Sequence, residues 1–366
     1  MSEIASANSN KGSIFYAILI YVNAFFFGMY PFLNSGANAA YITVLICTVS
    51  VIVIITALSF LLDKFNINTQ NILSPPIMRY VSGVFFVFSV INCAILLACT
   101  VQCSFRFFMP QSPYTYLAMF FCISVIFGIH AGHGALKSYG KVISVCIFAL
   151  ALYFVFSSFK SAQIQRIFPL LGQNAKSTFL GFSGISVFSN IIYLYAYNKQ
   201  NEALKYKKLL FTAIKTALSA GIFISVMCFV YAMCVPYEII RSKILLPSYY
   251  IASVSGFGII FNRCEILLLT AWIFSSMVSL SFMANTTAVA LCDALKLSDR
   301  RGISPVTTLL IFTISVLLLK FNIIYIWEKF SHIFTAYIIH LPIVCILINN
   351  RYQKRKVKNN VAVQNG

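Results

Sequence analysis

Residues 80–104 read YVSGVFFVFSVINCAILLACTVQCS, twenty-five positions without one charged side chain. A run of about twenty apolar residues is the length of helix that crosses the hydrocarbon core of a bilayer. In that solvent only helices and closed barrels satisfy their backbone polar groups. A membrane β-barrel would show segments of about ten residues with alternating polarity, and no such alternation occurs here. The run therefore predicts a membrane-spanning α-helix.

Working outward, comparable runs recur along the chain. They predict ten spans at roughly 14–34, 38–62, 80–104, 113–131, 141–159, 177–198, 209–234, 264–291, 305–326 and 331–349. A tail covers 1–13, one ten-helix transmembrane domain covers 14–349, and a basic tail covers 350–366. The long connection 235–263 contains an apolar stretch too short for a span and is expected to be re-entrant or interfacial. The first ten residues are polar, and no cleavable signal is expected.

Composition agrees. Hydrophobic residues make up 60% of the 366 and charged residues only 10%, against about 25% charged in soluble domains. The net charge of +19 would point to nucleic acid in a soluble protein. Here the basic residues lie in loops and in the tail segment RYQKRK (351–356), where orientation and anionic lipid headgroups account for them and no nucleic-acid partner is expected. Most of the eleven cysteines, Cys93 and Cys228 among them, sit inside apolar runs and no CxxC occurs, so they read as small hydrophobes.

Acids number eight and histidines four. No GxSxG, HExxH or P-loop pattern is present, and the acids are too scattered for a carboxylate pair, so neither an enzyme nor a cofactor is expected. Glu265 follows Arg263 by two residues at the start of the eighth span; the preferred reading is a structural ion pair at the membrane edge rather than a charge lining a pathway. His130 and His133 share a helix face, but two ligands without a third do not make a metal site, and none is expected. Asn92 is a rare polar group midway along the third span. It either faces a solute or ties helices together. Ser279 lies midway along the eighth span, where a serine can also bond its own backbone.

Glycine and proline interrupt two spans. The first carries FFFGMYPF (25–32), with Gly28 and Pro31, and the sixth carries FLGFSGISVF (179–188), with Gly181 and Gly184. Transporters built from inverted repeats unwind corresponding helices at mid-membrane and bind solute on the freed backbone. The first and sixth of ten spans are corresponding members of two five-span halves. Close helix packing is the competing explanation, and Gly128 and Gly221 lie in other spans.

Several stretches together resemble the endospore germination permease family, the GerAB-type B subunits of spore germinant receptors, within the amino acid–polyamine–organocation transporter superfamily. They are the glycine of the first span followed by SGANAAYITVLI (35–46), RIFPLLGQ (166–173), and LLPSYYIASVSGFGIIFNRCEILLLTAWIF (245–274), in which Arg263, Glu265 and Trp272 match an Arg-x-Glu and a tryptophan. The family often has a Glu and then an Arg after the glycine that ends the fourth span; His130 and Gly134 stand in those places here. The resemblance implies a LeuT-like five-plus-five inverted repeat with broken first and sixth helices, repeat one about 14–159 and repeat two about 177–349. It implies a spore inner membrane location, a receptor A subunit and a lipoprotein C subunit as partners, and a small nutrient, an amino acid for example, as the signal. The alternative is an ion-coupled amino acid transporter. In this architecture Gly28 and Tyr30, Asn92, Gly181, Phe182 and Gly184, and Ser279 would line the solute site.

Charge distribution fixes the expected orientation. With the N-terminus in the cytoplasm, 18 of the 27 Lys and Arg fall on the cytoplasmic side and 9 on the other, which places both termini inside. Green fluorescent protein fused after Gly366 is accordingly expected to fluoresce, and alkaline phosphatase fused there to stay inactive. The reverse pattern would overturn the orientation.

Overall fold

The computed structural model describes residues 29, 32–33, 35–64, 75–172, 178, 187–188, 193, 206–236, 264–297 and 300–321. Six helices organise them: α1 (Ala40–Lys64), α2 (Pro75–Phe107), α3 (Tyr114–Ser158), α4 (Tyr206–Cys234), α5 (Cys264–Leu295) and α6 (Arg300–Leu319). Short 3-10 turns precede α1 (Ala37–Ala39) and follow α3 (Ile164–Ile167). Among the described residues there is no strand.

Helix α3 is two spans in one element. Gly132 has φ 84° and ψ 169°, outside helical geometry, and the chain turns there between a first limb and a second. Only glycine adopts that φ without a Cβ clash. Seven stretches among the described residues are thus long and apolar enough to cross a bilayer: Ala37–Ala57, Ser82–Phe107, Tyr114–Gly132, Gly134–Ser158, Leu210–Cys234, Leu269–Leu295 and Gly302–Leu319. They coincide with the expected second, third, fourth, fifth, seventh, eighth and ninth spans. The first, sixth and tenth spans and the 235–263 segment fall wholly or largely outside the described residues. The chain is an all-α integral membrane protein.

Some helix ends differ from expectation. Helix α2 overruns its apolar core at both ends, taking in Arg79 and Arg106, because the helix continues into the headgroup layer where charge is solvated. Between the fourth and fifth spans the polar stretch 132–140 is helical from Gly134 onward rather than a loop. Helix α6 stops at Leu319, where the amides of Lys320 and Phe321 turn back to the carbonyls of Leu317 and Leu318. Helix α5 ends on Lys296 with φ 59°, and the amide of Leu297 bonds to the carbonyl of Cys292 at 3.0 Å. That is a Schellman closure with lysine where glycine usually stands.

Burial separates scaffold from rim. Helices α2, α4 and α5 are mostly buried, and the limbs of α3 and helix α6 mostly not. Val145, Phe148, Leu152 and Phe156 form an exposed apolar stripe on the second limb of α3, and Val306, Leu309 and Leu317 lie exposed on α6. In water such surface would drive association; lipid tails cover it without cost. Helix α2 packs along α5 and α6, α3 packs on α5 and α6, and α1 packs along α4.

Small residues allow the close approaches. A Cβ added to Gly128 of α3 would stand 2.9 Å from the Cβ of Ser281 in α5, and one added to Gly221 of α4 would overlap Thr48 of α1. Tyr41 meets Phe229 edge to face at 5.2 Å, and the Ser225 hydroxyl donates to the Tyr41 carbonyl at 3.1 Å, fixing the same α1–α4 seam. Gly221→Leu is therefore expected to lower stability by about 1–3 kcal/mol. Gly83→Leu, at a position where nothing lies within 4 Å of an added Cβ, is expected to be tolerated. Thermal melting in detergent with size-exclusion readout compares the two; equal melting points would show that the seam has slack at Gly221.

Candidate functional site

Positions 89, 92 and 93 lie three and four residues apart, so α2 presents Ser89, Asn92 and Cys93 on one face. Helix α5 brings Thr287 against that face, and Tyr193 comes from the stretch expected as the sixth span. All five are buried. Ser89 and Thr287 share a short hydroxyl–hydroxyl bond. The Ser89 and Tyr193 oxygens are 2.9 Å apart, the Cys93 Sγ lies 3.9 Å from the Thr287 Oγ1, and Asn92 and Cys93 lie beside the Tyr193 side chain. Phe85 closes the cluster with its ring edge-on to Tyr193 at 5.6 Å.

Proton counting sets the direction of these bonds. The Thr287 hydroxyl donates its one proton to the Met283 carbonyl at 2.7 Å, so toward Ser89 it accepts. Ser89 thus donates to Thr287 and accepts from the Tyr193 hydroxyl. The cluster is a continuous chain from Tyr193 through Ser89 and Thr287 to the α5 backbone, with Asn92 beside Tyr193. It contains hydroxyl, carboxamide and thiol groups and no formal charge. Such a chain holds neutral polar groups in place.

Of the residues expected to form a site, Asn92 stands in this cluster. Ser279 is buried in α5, eight residues before Thr287 and so about 12 Å away along the axis. Gly28, Tyr30, Gly181, Phe182 and Gly184 lie outside the described residues, as does Arg263; Glu265 is the second residue of α5. Among the described residues no group of three His, Cys, Asp or Glu converges, and His130 is exposed at the end of the first limb of α3. Sequence reading missed Ser89, Cys93, Tyr193 and Thr287. The i−3 neighbour of Asn92 would have found Ser89, and the i+4 neighbour of Ser89 is Cys93; Tyr193 and Thr287 carry no local signal.

A second polar cluster lies beyond the helix ends. Arg166 Nη1 donates to the Cys234 carbonyl at 2.6 Å, and the Gln163 amide donates to the Met233 carbonyl at 3.0 Å. The Asn38 carboxamide donates to the carbonyls of Ile167 and Pro169 at 3.1 and 3.2 Å. Thr178 donates to the Leu171 carbonyl at 3.0 Å, and Thr43 to the Thr178 carbonyl at 3.2 Å. No protein-family model matches this chain, and no curated protein sequence matches it either.

The contact between Asn92 and Tyr193 makes a quantitative expectation, since Tyr193→Phe and Asn92→Leu each remove one side of it. Reversible unfolding in mixed micelles should show the double variant less destabilised than the sum of the singles, by about 1 kcal/mol. Additive losses would show that the two side chains do not act on each other.

Proposed function

We propose that this chain is the membrane subunit of a spore nutrient receptor, which binds a small neutral or zwitterionic nutrient such as an amino acid and triggers germination. The observation that carries the reading is the pattern of helix packing taken with the sequence resemblance. Numbering by span, the second packs along the seventh and the third along the eighth. The fourth–fifth element packs on the eighth as the ninth packs on the third. Exchanging each half for the other maps this set of pairings onto itself, the first two each onto itself and the last two onto each other. That self-consistency supports a ten-helix, five-plus-five inverted repeat of the LeuT-like kind, in which solute binds where the first and sixth helices break.

The uncharged cluster around Asn92 supports a solute that brings its own charges in balance. Helix termini and backbone amides at Gly28, Gly181 and Gly184 would hold a carboxylate and an ammonium. In this reading the protein sits in the spore inner membrane with both termini cytoplasmic, beside a membrane A subunit and a lipoprotein C subunit. The same fold would also serve an ion-coupled amino acid transporter. Coupling ordinarily uses a titratable group at membrane depth, and the cluster at Asn92 holds neither a carboxylate nor a histidine.

Spores of the bacterium that encodes the chain provide the test. Asn92→Asp places a charge where the site expects none and should raise the nutrient concentration for half-maximal germination by about tenfold at matched protein level. Gly184→Leu should abolish the response. Spores lacking the chain altogether that germinate normally with every nutrient would refute the receptor assignment. Uptake of labelled amino acid by the chain alone in vesicles would favour the transporter.

A further inference from the structure

Residues Gln163–Gly172 run outside the spans, between the end of α3 at Ser158 and the stretch that contains Thr178. They touch three elements at once. Arg166 and Gln163 bond to the last carbonyls of α4, at Cys234 and Met233. Asn38, in the 3-10 turn before α1, holds the carbonyls of Ile167 and Pro169. Gly172, with φ 73°, lies so close that an added Cβ would be 3.1 Å from the Gly36 carbonyl and 3.2 Å from the Thr178 hydroxyl. Thr178 then ties the far end of the segment to α1 through Thr43.

We infer that Gln163–Gly172 is a strap that clamps the ends of α1 and α4 to the chain leading toward Gly181 and Gly184, and that releasing it is the step that opens this end of the bundle. Three observations distinguish a strap from an ordinary loop. Its side-chain anchors are few and all end on backbone carbonyls, Arg166 on the last turn of α4 and Asn38 and Thr178 on the segment itself, so one movement breaks them together. None of the anchors described is an ion pair, so rebinding follows without a counter-ion. Its outward face carries Ile164, Phe168, Leu170 and Leu171, all exposed, so hydrophobic packing holds down only Ile167, and the hydrogen bonds decide whether it stays. The inference goes beyond the nutrient reading and stands on geometry alone. By the charge bias of the loops this is the end away from the cytoplasm, where a solute from outside would enter.

Cys234 is a built-in reporter. Its thiol is buried where the strap begins, 3.4 Å from the Ser158 carbonyl and 3.7 Å from the Ser161 hydroxyl, and its own carbonyl is the one that Arg166 holds. Cys228, in the same helix and fully buried, reports unfolding. The full chain in lipid nanodiscs is treated with a membrane-impermeant maleimide and both cysteines are quantified by peptide mass spectrometry. Asn38→Asp turns an amide donor into a second acceptor facing two carbonyls, and Arg166→Ala removes the bond to Cys234. Each should speed labelling of Cys234 by about tenfold while Cys228 stays protected. Labelling of Cys234 at the unmodified rate in both variants would overturn the strap. The unmodified chain is measured beside them by hydrogen exchange, so the result does not depend on variants folding. The peptide covering 160–172 should exchange at least about tenfold slower than unprotected amides, and exchange at the unprotected rate would also overturn it. Adding an amino acid mixture addresses the nutrient reading separately: a change in Cys234 labelling supports it, and no change counts against it while leaving the strap intact.

Discussion

No water waits in the middle of a bilayer, so every polar group placed there must find its partner within the protein. The helices answer for the backbone. Most hydroxyls answer for themselves by bonding one turn back, as Thr48 does to Val44, Thr100 to Leu96, Thr216 to Thr212 and Thr286 to Phe282. Asn92 is different. Its carboxamide has two donors and an acceptor and needs partners on other elements. It lies in α2 beside Tyr193, where the buried chain begins that runs through Ser89 and Thr287 to the Met283 carbonyl and joins α2 to α5.

That constraint works only because the helices approach closely. Lipid gives no hydrophobic drive for helices to associate, so contact area and interhelical bonds must hold them. The buried face of α5 carries Ser275, Ser276, Ser279, Ser281, Ala284, Thr287 and Ala288, and α2 presents Ser89, Cys93, Ala94 and Ala98. Side chains this small bring backbones near enough for a hydroxyl to reach across. Thr178 is then held by the strap and α1, and Tyr193 by Ser89 and Phe85 of α2.

Much of this was legible in the amino-acid sequence, and the remainder was hidden for definite reasons. Seven spans could be read because each carries an apolar run of membrane length, and Asn92 stood out because a carboxamide inside such a run is costly. The turn at Gly132 was obscured: GIHAGHGALKSYG (128–140) has the composition of a loop, yet helix resumes within two residues of the turn. Thr287 and Tyr193 were invisible as partners of Ser89. They sit 198 and 104 residues away from it, and hydroxyls are cheap enough in helices to carry no flag. Gly128 and Gly221, weighed as packing positions, are packing positions. RIFPLLGQ (166–173) drew attention for its likeness to a family; its hydrogen bonds to α4 and to Asn38 depend on tertiary placement that no local pattern encodes.

The self-bonded hydroxyls carry a consequence for how such a chain can change over generations. A serine whose proton goes to its own helix can become alanine, cysteine or threonine with little penalty, so much of the polar content of these helices is free to drift. Thr287 is not free in that way. It gives its proton to Met283 and at the same time receives Ser89, with Cys93 close by; alanine or valine there would take from Ser89 its link to α5 and leave it Tyr193 alone. Neutral variation should therefore be dense along most of α5 and stop at this residue, so the pattern of tolerated exchange among descendants of this gene would itself outline the buried chain.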